Sequence, residues 1–266
     1  MAEEGAEPSR RVMRLQRAAS RRVASVRIVL EGLEDRGNRA AVLRTAESLG
    51  LLHVHEVAPS NPEQGRARGV AHGGEKWLHV HVHADPSECR LALAGFQCLA
   101  ALPPVDELGP SPSWHSTGGK RRRRQESTCD DGEEARVNEI AEPPTDVPAS
   151  ATTASLASVA LEDIDFSQPT ALIFGNEKHG VSDAMLALCD GAFHIAQHGL
   201  TESLNVSVAA AIAMHYSRVA RVAALRRRAD GLINASGGDL SVDEVAALCA
   251  DYSQRGRHHG KGSTQD

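Results

Sequence analysis

Aromatic side chains are scarce: Phe, Tyr and Trp make up 3% of 266 residues, while hydrophobic residues reach 41%. The core therefore has to be assembled from Ala, Val, Leu and Ile, which suits parallel strands buried under helices. Long apolar runs are missing as well. No stretch approaches the roughly 18–20 residues that a membrane-spanning helix requires, so no membrane partner is expected. Positive charge is not in excess: the formal net charge is −6, which excludes a generic polycation for nucleic acid, although a bipolar chain can still carry a basic face. The five cysteines, Cys89, Cys98, Cys129, Cys189 and Cys249, include no C-x-x-C pair. Such an odd, unpatterned set reads as reduced intracellular thiols and not as a disulfide framework. No G-x-G-x-x-G follows the first strand and no P-loop is present, which excludes the common glycine-rich nucleotide fingerprints. A secretory signal is also missing, because Glu3, Glu4 and Glu7 precede the arginines and no apolar segment follows. The basic, Ser-containing pattern of residues 10–27 leaves an organelle transit peptide open, so the expected compartment is intracellular, either cytoplasm or an organelle (mitochondrion or plastid).

What is present is a succession of strand and helix signals. Residues 10–22 set Val12, Met13, Leu15, Ala18 and Ala19 among arginines, a short basic amphipathic helix that serves either to pack on the body or to face RNA. Residues 26–30 read as a strand by their branched apolar content. Gly37-Asn38 then starts a helix, Gly50 stands where a terminating glycine belongs, and residues 51–57 supply the next strand. Strand, helix, strand within about 30 residues is a βαβ unit and so implies a parallel sheet. A strand at 77–83, a helix at 86–94 and a strand at 96–101 continue the pattern. It stops at 104–155, where Pro-Pro, Gly-Gly, the basic run of residues 120–124 and an acidic stretch cannot bury enough surface to order themselves. This segment reads as a disordered insertion whose charges are solvated.

Regular structure resumes with a strand at 170–174, a helix at 182–188, a strand at 192–196 and a long helix from Asn205 to about Arg228. Val208, Ile212, Val219 and Val222 mark its expected apolar face. One weak helix, 242–249, capped by Ser241, lies in the tail. The expected division is a basic helical arm at 1–25, a catalytic domain at 26–228 interrupted by the insertion, and a helical, basic tail at 229–266. His79, His81 and His83 share one face of a strand. They read as the wet side of an edge strand with Leu78, Val80 and Val82 inward, and no metal is expected, since no Cys or carboxylate set accompanies them in sequence.

Three polar punctuations share a layout. The first is Glu34-Asp35, then Asn38, Ala41, Arg44, Thr45 and Ala46, closed by Gly50. The second is the strand ending Leu172-Ile173-Phe174, followed by Gly175-Asn176-Glu177 and Gly180. In the third, residues 203–209 read Ser-Leu-Asn-Val-Ser-Val-Ala. In order and spacing these resemble the SpoU (TrmH-type) branch of the SPOUT superfamily, S-adenosylmethionine-dependent RNA ribose 2′-O-methyltransferases. The likeness spans residues 10–228 apart from the insertion. It departs from the family at Ala196-Gln197, where Pro-Met is frequent, and in the insertion itself.

The resemblance implies an α/β fold, a parallel sheet flanked by helices with a deep C-terminal trefoil knot, in a homodimer. Knots are nearly absent from proteins, so pattern reasoning alone does not propose one. It also implies that backbone groups of Gly175, Ile195 and Leu204, with Ala101 and Ser203, hold S-adenosylmethionine. By motif position Arg44 is the catalytic arginine. A guanidinium is a poor base, and its expected role is to orient phosphate or ribose and to stabilise developing negative charge. Asn38, Glu177 and Asn205 complete the catalytic set, although Asn38 and Asn205 are also placed as helix N-caps and Glu177 as a surface acid. The basic helix running directly into the first motif resembles the tRNA guanosine-18 enzymes. An rRNA-directed enzyme and an inactive RNA-binding relative are the alternatives.

Overall fold

The residues from Thr170 to Phe174 are buried at every position, as the middle strand of a parallel sheet covered on both faces must be. The computed structural model describes residues 9–58, 75–104, 156–201, 203–227 and 234–258. Their strands are β1 (Val23–Glu31), β2 (Leu51–Val57), β3 (His79–His83), β4 (Gln97–Ala101), β5 (Ser158–Ala160), β6 (Thr170–Phe174) and β7 (Gly191–His194). They form one seven-stranded sheet in the order β3-β2-β1-β6-β4-β7-β5, and every pairing is parallel. The helices are α1 (Arg10–Ala19), α2 (Arg36–Leu49), α3 (Pro86–Ala92), α4 (Asp183–Leu186), α5 (Val206–Arg227) and α6 (Val242–His258). Strand side chains alternate between the two faces. Ile28, Leu30, Leu172 and Phe174 pack with Leu43 of α2 and Met214 of α5, whereas Val29 and Ile173 pack with Cys89 of α3 and Met185 of α4. The expected α/β architecture, a parallel sheet flanked by helices, is what the structure has. All described residues belong to one unit, Met1–Pro104 with Ser155–Asp266. The insertion expected at 104–155 lies, from residue 105 on, outside the described residues.

Local signals place α2 well. Asp35, one turn before Asn38, is its N-cap and accepts from the Asn38 N–H at 2.7 Å. Gly50 closes the helix at φ 78°, and a Cβ there would stand 3.1 Å from the Arg21 carbonyl. Other boundaries differ from expectation. Glu75–Trp77 is a 3-10 turn and not the start of a strand, the helix expected at 182–188 is the single turn α4, and β5 is an edge strand too short for its periodicity to show.

The α5 face is a correction. Val208, Ile212 and Val219 are 46%, 41% and 53% exposed, while Ala210, Ala213, Met214, Ser217 and Leu225 are buried with Val222. The small residues face inward because the helix lies close against the sheet, which leaves the large aliphatics outside. The histidine strand is a second correction. Leu78 is buried and Val80 packs on the core as expected, but Val82 is 58% exposed and His83 only 6%, so only at the end of β3 does the imidazole pack inward in place of the valine.

The tail helix runs to His258, nine residues beyond the expected 249. Val245, Leu248, Cys249 and Tyr252, at helical spacing, pack on Leu15 and Ala19 of α1 and on Leu52. The Tyr252 hydroxyl donates to the Trp77 carbonyl at 2.8 Å, and its ring meets Trp77 edge-on at 5.2 Å. Tyr252→Ala is expected to destabilise the chain by about 3–5 kcal/mol, the cost of deleting a buried aromatic ring. Urea unfolding checks this, and a loss below about 1 kcal/mol would show that α6 is not integral to the fold.

Candidate functional site

In a parallel sheet all strands end on the same edge, and the crevice outside those carboxyl ends is where ligands settle. Here β6, β4 and β7 are neighbours, and the loops leaving them enclose a cavity of about 390 Å³. After β4 it is lined by Ala101, Leu102 and Pro103, after β6 by Gly175, Asn176, Glu177 and Gly180, and after β7 by Ile195, Gln197 and Ser203 to Asn205. Phe174 and Phe193 form its floor, with ring centroids 6.0 Å apart and edge to face. The mixture of apolar walls and exposed loop backbone suits a flat ligand recognised along its polar edge.

The loop after β6 is a tight structure. Asn176 and Gly180 exchange backbone hydrogen bonds at 2.9 and 2.8 Å. The Asn176 side chain accepts from the Lys178 N–H at 2.8 Å and donates to the Gly32 carbonyl at 2.8 Å, tying the loop to the end of β1. Because the loop folds straight back over Gly175, a Cβ at that position would overlap the Gly180 carbonyl and the Val181 nitrogen. Only glycine fits there.

Three polar side chains from separate parts of the sequence meet at the mouth of the cavity. Asn38, in the first turn of α2, donates its amide N–H to Glu177 Oε1 at 3.0 Å. Its amide oxygen accepts from Asn205 Nδ2 at 3.2 Å. Both ends of the Asn38 amide are thus committed, so its orientation is set. Glu177 also receives the Glu34 N–H at 3.4 Å, and Lys178 pairs with Glu34 at 2.8 Å. The bond to Lys178 holds the Glu34 carboxyl below the usual carboxylate range. Asn205 accepts from the Ser207 N–H and hydroxyl at 2.9 and 2.6 Å. It is therefore the N-cap of α5 and a member of the cluster at once, whereas Asn38 is not the cap of α2.

Of the residues singled out in sequence, Gly175, Glu177, Ile195, Leu204, Asn205, Ala101 and Ser203 line the cavity, and Asn38 is bonded to two of them. Arg44 is not brought in. It lies six residues beyond Asn38, about 9 Å further along α2, and is exposed, with no hydrogen bond or ion pair among the described residues. Sequence reasoning gave no site role to Leu102, which it did not single out, nor to Asn176 and Gln197, which it quoted only within the second motif and at the departure from the family. The Asn-x-Lys turn around Asn176 carries a local signal; Leu102 and Gln197 carry none, since a loop residue's neighbours are decided by the strand order.

The SpoU rRNA Methylase family model matches residues 133–215. The tRNA (guanosine(18)-2′-O)-methyltransferase of Thermus thermophilus is 29% identical over 79% of this chain and 83% of its own length. The enzyme of the same name from Escherichia coli is 25% identical over 77% of this chain and 68% of its own. Among solved structures, the A. aeolicus TrmH/SpoU tRNA modifying enzyme superposes with a TM-score of 0.60 at 20% identity, covering 92% of this chain and 96% of that one. The fold is shared with it.

Proposed function

Since this chain is of the SpoU (TrmH) type, we propose that it is an S-adenosylmethionine-dependent RNA ribose 2′-O-methyltransferase acting on guanosine 18 of tRNA. The observation that carries the reading is the convergence of Asn38, Glu177 and Asn205 at the mouth of a cavity floored by Phe174 and Phe193. The relatives named for that reaction extend over most of the chain.

The residues present fit the methyl donor. The cavity has the size of a nucleoside-binding site, and its tightest point is a glycine where any side chain would intrude. Backbone groups of Gly175, Ile195 and Leu204, with Ala101 and Ser203, would hold the donor, and Phe174, Phe193 and Leu204 would exclude water from it. When bound, S-adenosylmethionine supplies an electrophilic methyl group. The chain's own task is then to orient a ribose hydroxyl, a poor nucleophile at neutral pH, and to ease the loss of its proton. Glu177 and Asn205 fix the Asn38 amide, whose second N–H is left to hold the RNA backbone at the cavity mouth. Arg44, permanently charged and without a protein partner among the described residues, is free to take an RNA phosphate and to stabilise negative charge developing on the ribose oxygen.

The same reading includes a C-terminal trefoil knot and a homodimer. In favour of the knot, β6 lies between β1 and β4, and Ile195, Gln197 and Ser203 to Asn205 come back to share one cavity with 101–103, with Gly175 to Glu177 and with Gly180. In favour of the dimer, Val208, Ile212 and Val219 leave an apolar stripe exposed on α5. No helix among the described residues is long and apolar enough to cross a membrane.

The matching family model is named for rRNA, so the test offers both RNAs. Purified full-length protein is incubated with tRNA and rRNA side by side, with methyl-labelled donor, and the 2′-O-methyl group is mapped. Label at guanosine 18 of tRNA is expected. Label in rRNA alone overturns the tRNA reading, and label in neither leaves an RNA-binding relative without the activity.

A further inference from the structure

The histidines of β2 and β3 form a ladder at the edge of the sheet remote from the cavity. Parallel register sets His53 beside His79 and His55 beside His81, and the period-2 alternation of side chains turns all five imidazoles to one face. His53 Nδ1 stands 3.0 Å from His81 Nε2, and His55 Nδ1 stands 2.9 Å from His83 Nε2. At the buried end of this ladder α3 brings in a thiol. One donor atom each from His55, His83 and Cys89 lies within 4.8 Å of the other two, and the three residues are 1%, 6% and 0% exposed.

We propose that His55, His83 and Cys89 bind a zinc ion that pins edge strand β3 and helix α3 to β2. The donor set is the first reason: two imidazoles and a thiolate are zinc's preferred ligands, and three of them leave the fourth tetrahedral position to water. Spacing is the second. Zinc–nitrogen bonds of about 2.1 Å put two ligand nitrogens about 3.4 Å apart, so the His55 and His83 rings need only open slightly from their present 2.9 Å. Zinc would replace the Cys89 thiol proton, which leaves to solvent as the Zn–S bond forms.

The surrounding charges are mixed. Glu31 and Glu88 act on Cys89 and favour a cation there. Arg27 opposes it, with Nη1 standing 3.5 Å from His55 Nε2. Once Nδ1 is taken by the ion, Nε2 carries the ring proton. Arg27 then keeps its other partners, the Ala92 carbonyl at 3.2 Å and the Phe96 ring at 4.1 Å.

The experiment uses untagged full-length protein, loaded with zinc, dialysed, and assayed for metal by plasma mass spectrometry. About one zinc per chain is expected, with a fall in thermal midpoint on chelation. Cys89→Ser and His83→Asn are expected to lose the metal and the chelator response, and His79→Asn, outside the cluster, to keep both. Cobalt substitution of the unmutated protein reads the thiolate directly through its sulfur-to-metal absorption, so the test stands even if a variant misfolds. Metal-free protein after loading, a cobalt spectrum without the thiolate band, or full retention by Cys89→Ser overturns the site. The ladder would then be held by imidazole hydrogen bonds alone.

Discussion

Gly175→Ala is expected to weaken binding of S-adenosylmethionine about 100-fold. The added methyl has no flexible neighbour to push aside, because it meets the Gly180 carbonyl and the Val181 nitrogen, both main chain. Making room means opening the Asn176–Gly180 bridge and moving Glu177 with it, which also takes away the partner of Asn38. Forcing extra volume into a packed site costs about 1–3 kcal/mol and occasionally more. Concentrated in one binding loop, that predicts a rise in dissociation constant of about 100-fold. Gly199→Ala is the matched control, since a Cβ there meets nothing within 4 Å although the residue belongs to the loop after β7. Titration calorimetry with the donor separates the two. Equal affinity in both variants would mean that the loop after β6 does not form the donor site.

Arg44→Ala separates binding from chemistry. Arg44 is exposed and does not line the cavity, so its loss should leave donor affinity within about twofold and stability within about 0.5 kcal/mol. Turnover on tRNA should nonetheless fall by about 10²–10³-fold, the usual effect of removing a donor aimed at developing negative charge. Arg44→Lys distinguishes two versions of the role. A point charge restores part of the rate if charge alone is needed, whereas little returns if the planar fork must grip phosphate. Unchanged turnover in Arg44→Ala would remove Arg44 from the mechanism, and a parallel loss of donor affinity would make its role structural.

The two substitutions probe parts of the site that were unequally legible. Gly175 is visible in sequence because a strand running into a glycine and a polar turn is a local pattern, and the structure supplies a steric reason for it. The Asn38, Glu177 and Asn205 set was legible only through family resemblance. Taken singly, each is an ordinary loop or cap residue, and Asn205 does cap α5. What joins them is a pair of hydrogen bonds between residues separated by 139 and 167 positions, and no periodicity reports that.

Helix faces were the weakest part of the reading. Hydrophobicity placed Val208, Ile212 and Val219 inward, but α5 lies on a sheet close enough to select Ala210, Ala213 and Ser217 instead. The tail helix was underestimated because beyond residue 249 only Tyr252 continues its inward stripe among polar and charged residues, and that ring has a surface to bury against only once α1 and Leu52 are in place.

Composition and local pattern, taken alone, determined that this chain builds a parallel α/β sheet, where most of its strands fall, and how α2 begins and ends. Those outcomes depend on side-chain alternation, backbone conformation and capping, which act over a few residues. Only the tertiary structure decided which loops share a cavity, which side of α5 faces solvent, and that Cys89 meets His55 and His83. Strand order brings distant segments together, and that order follows from burying the whole sheet at once.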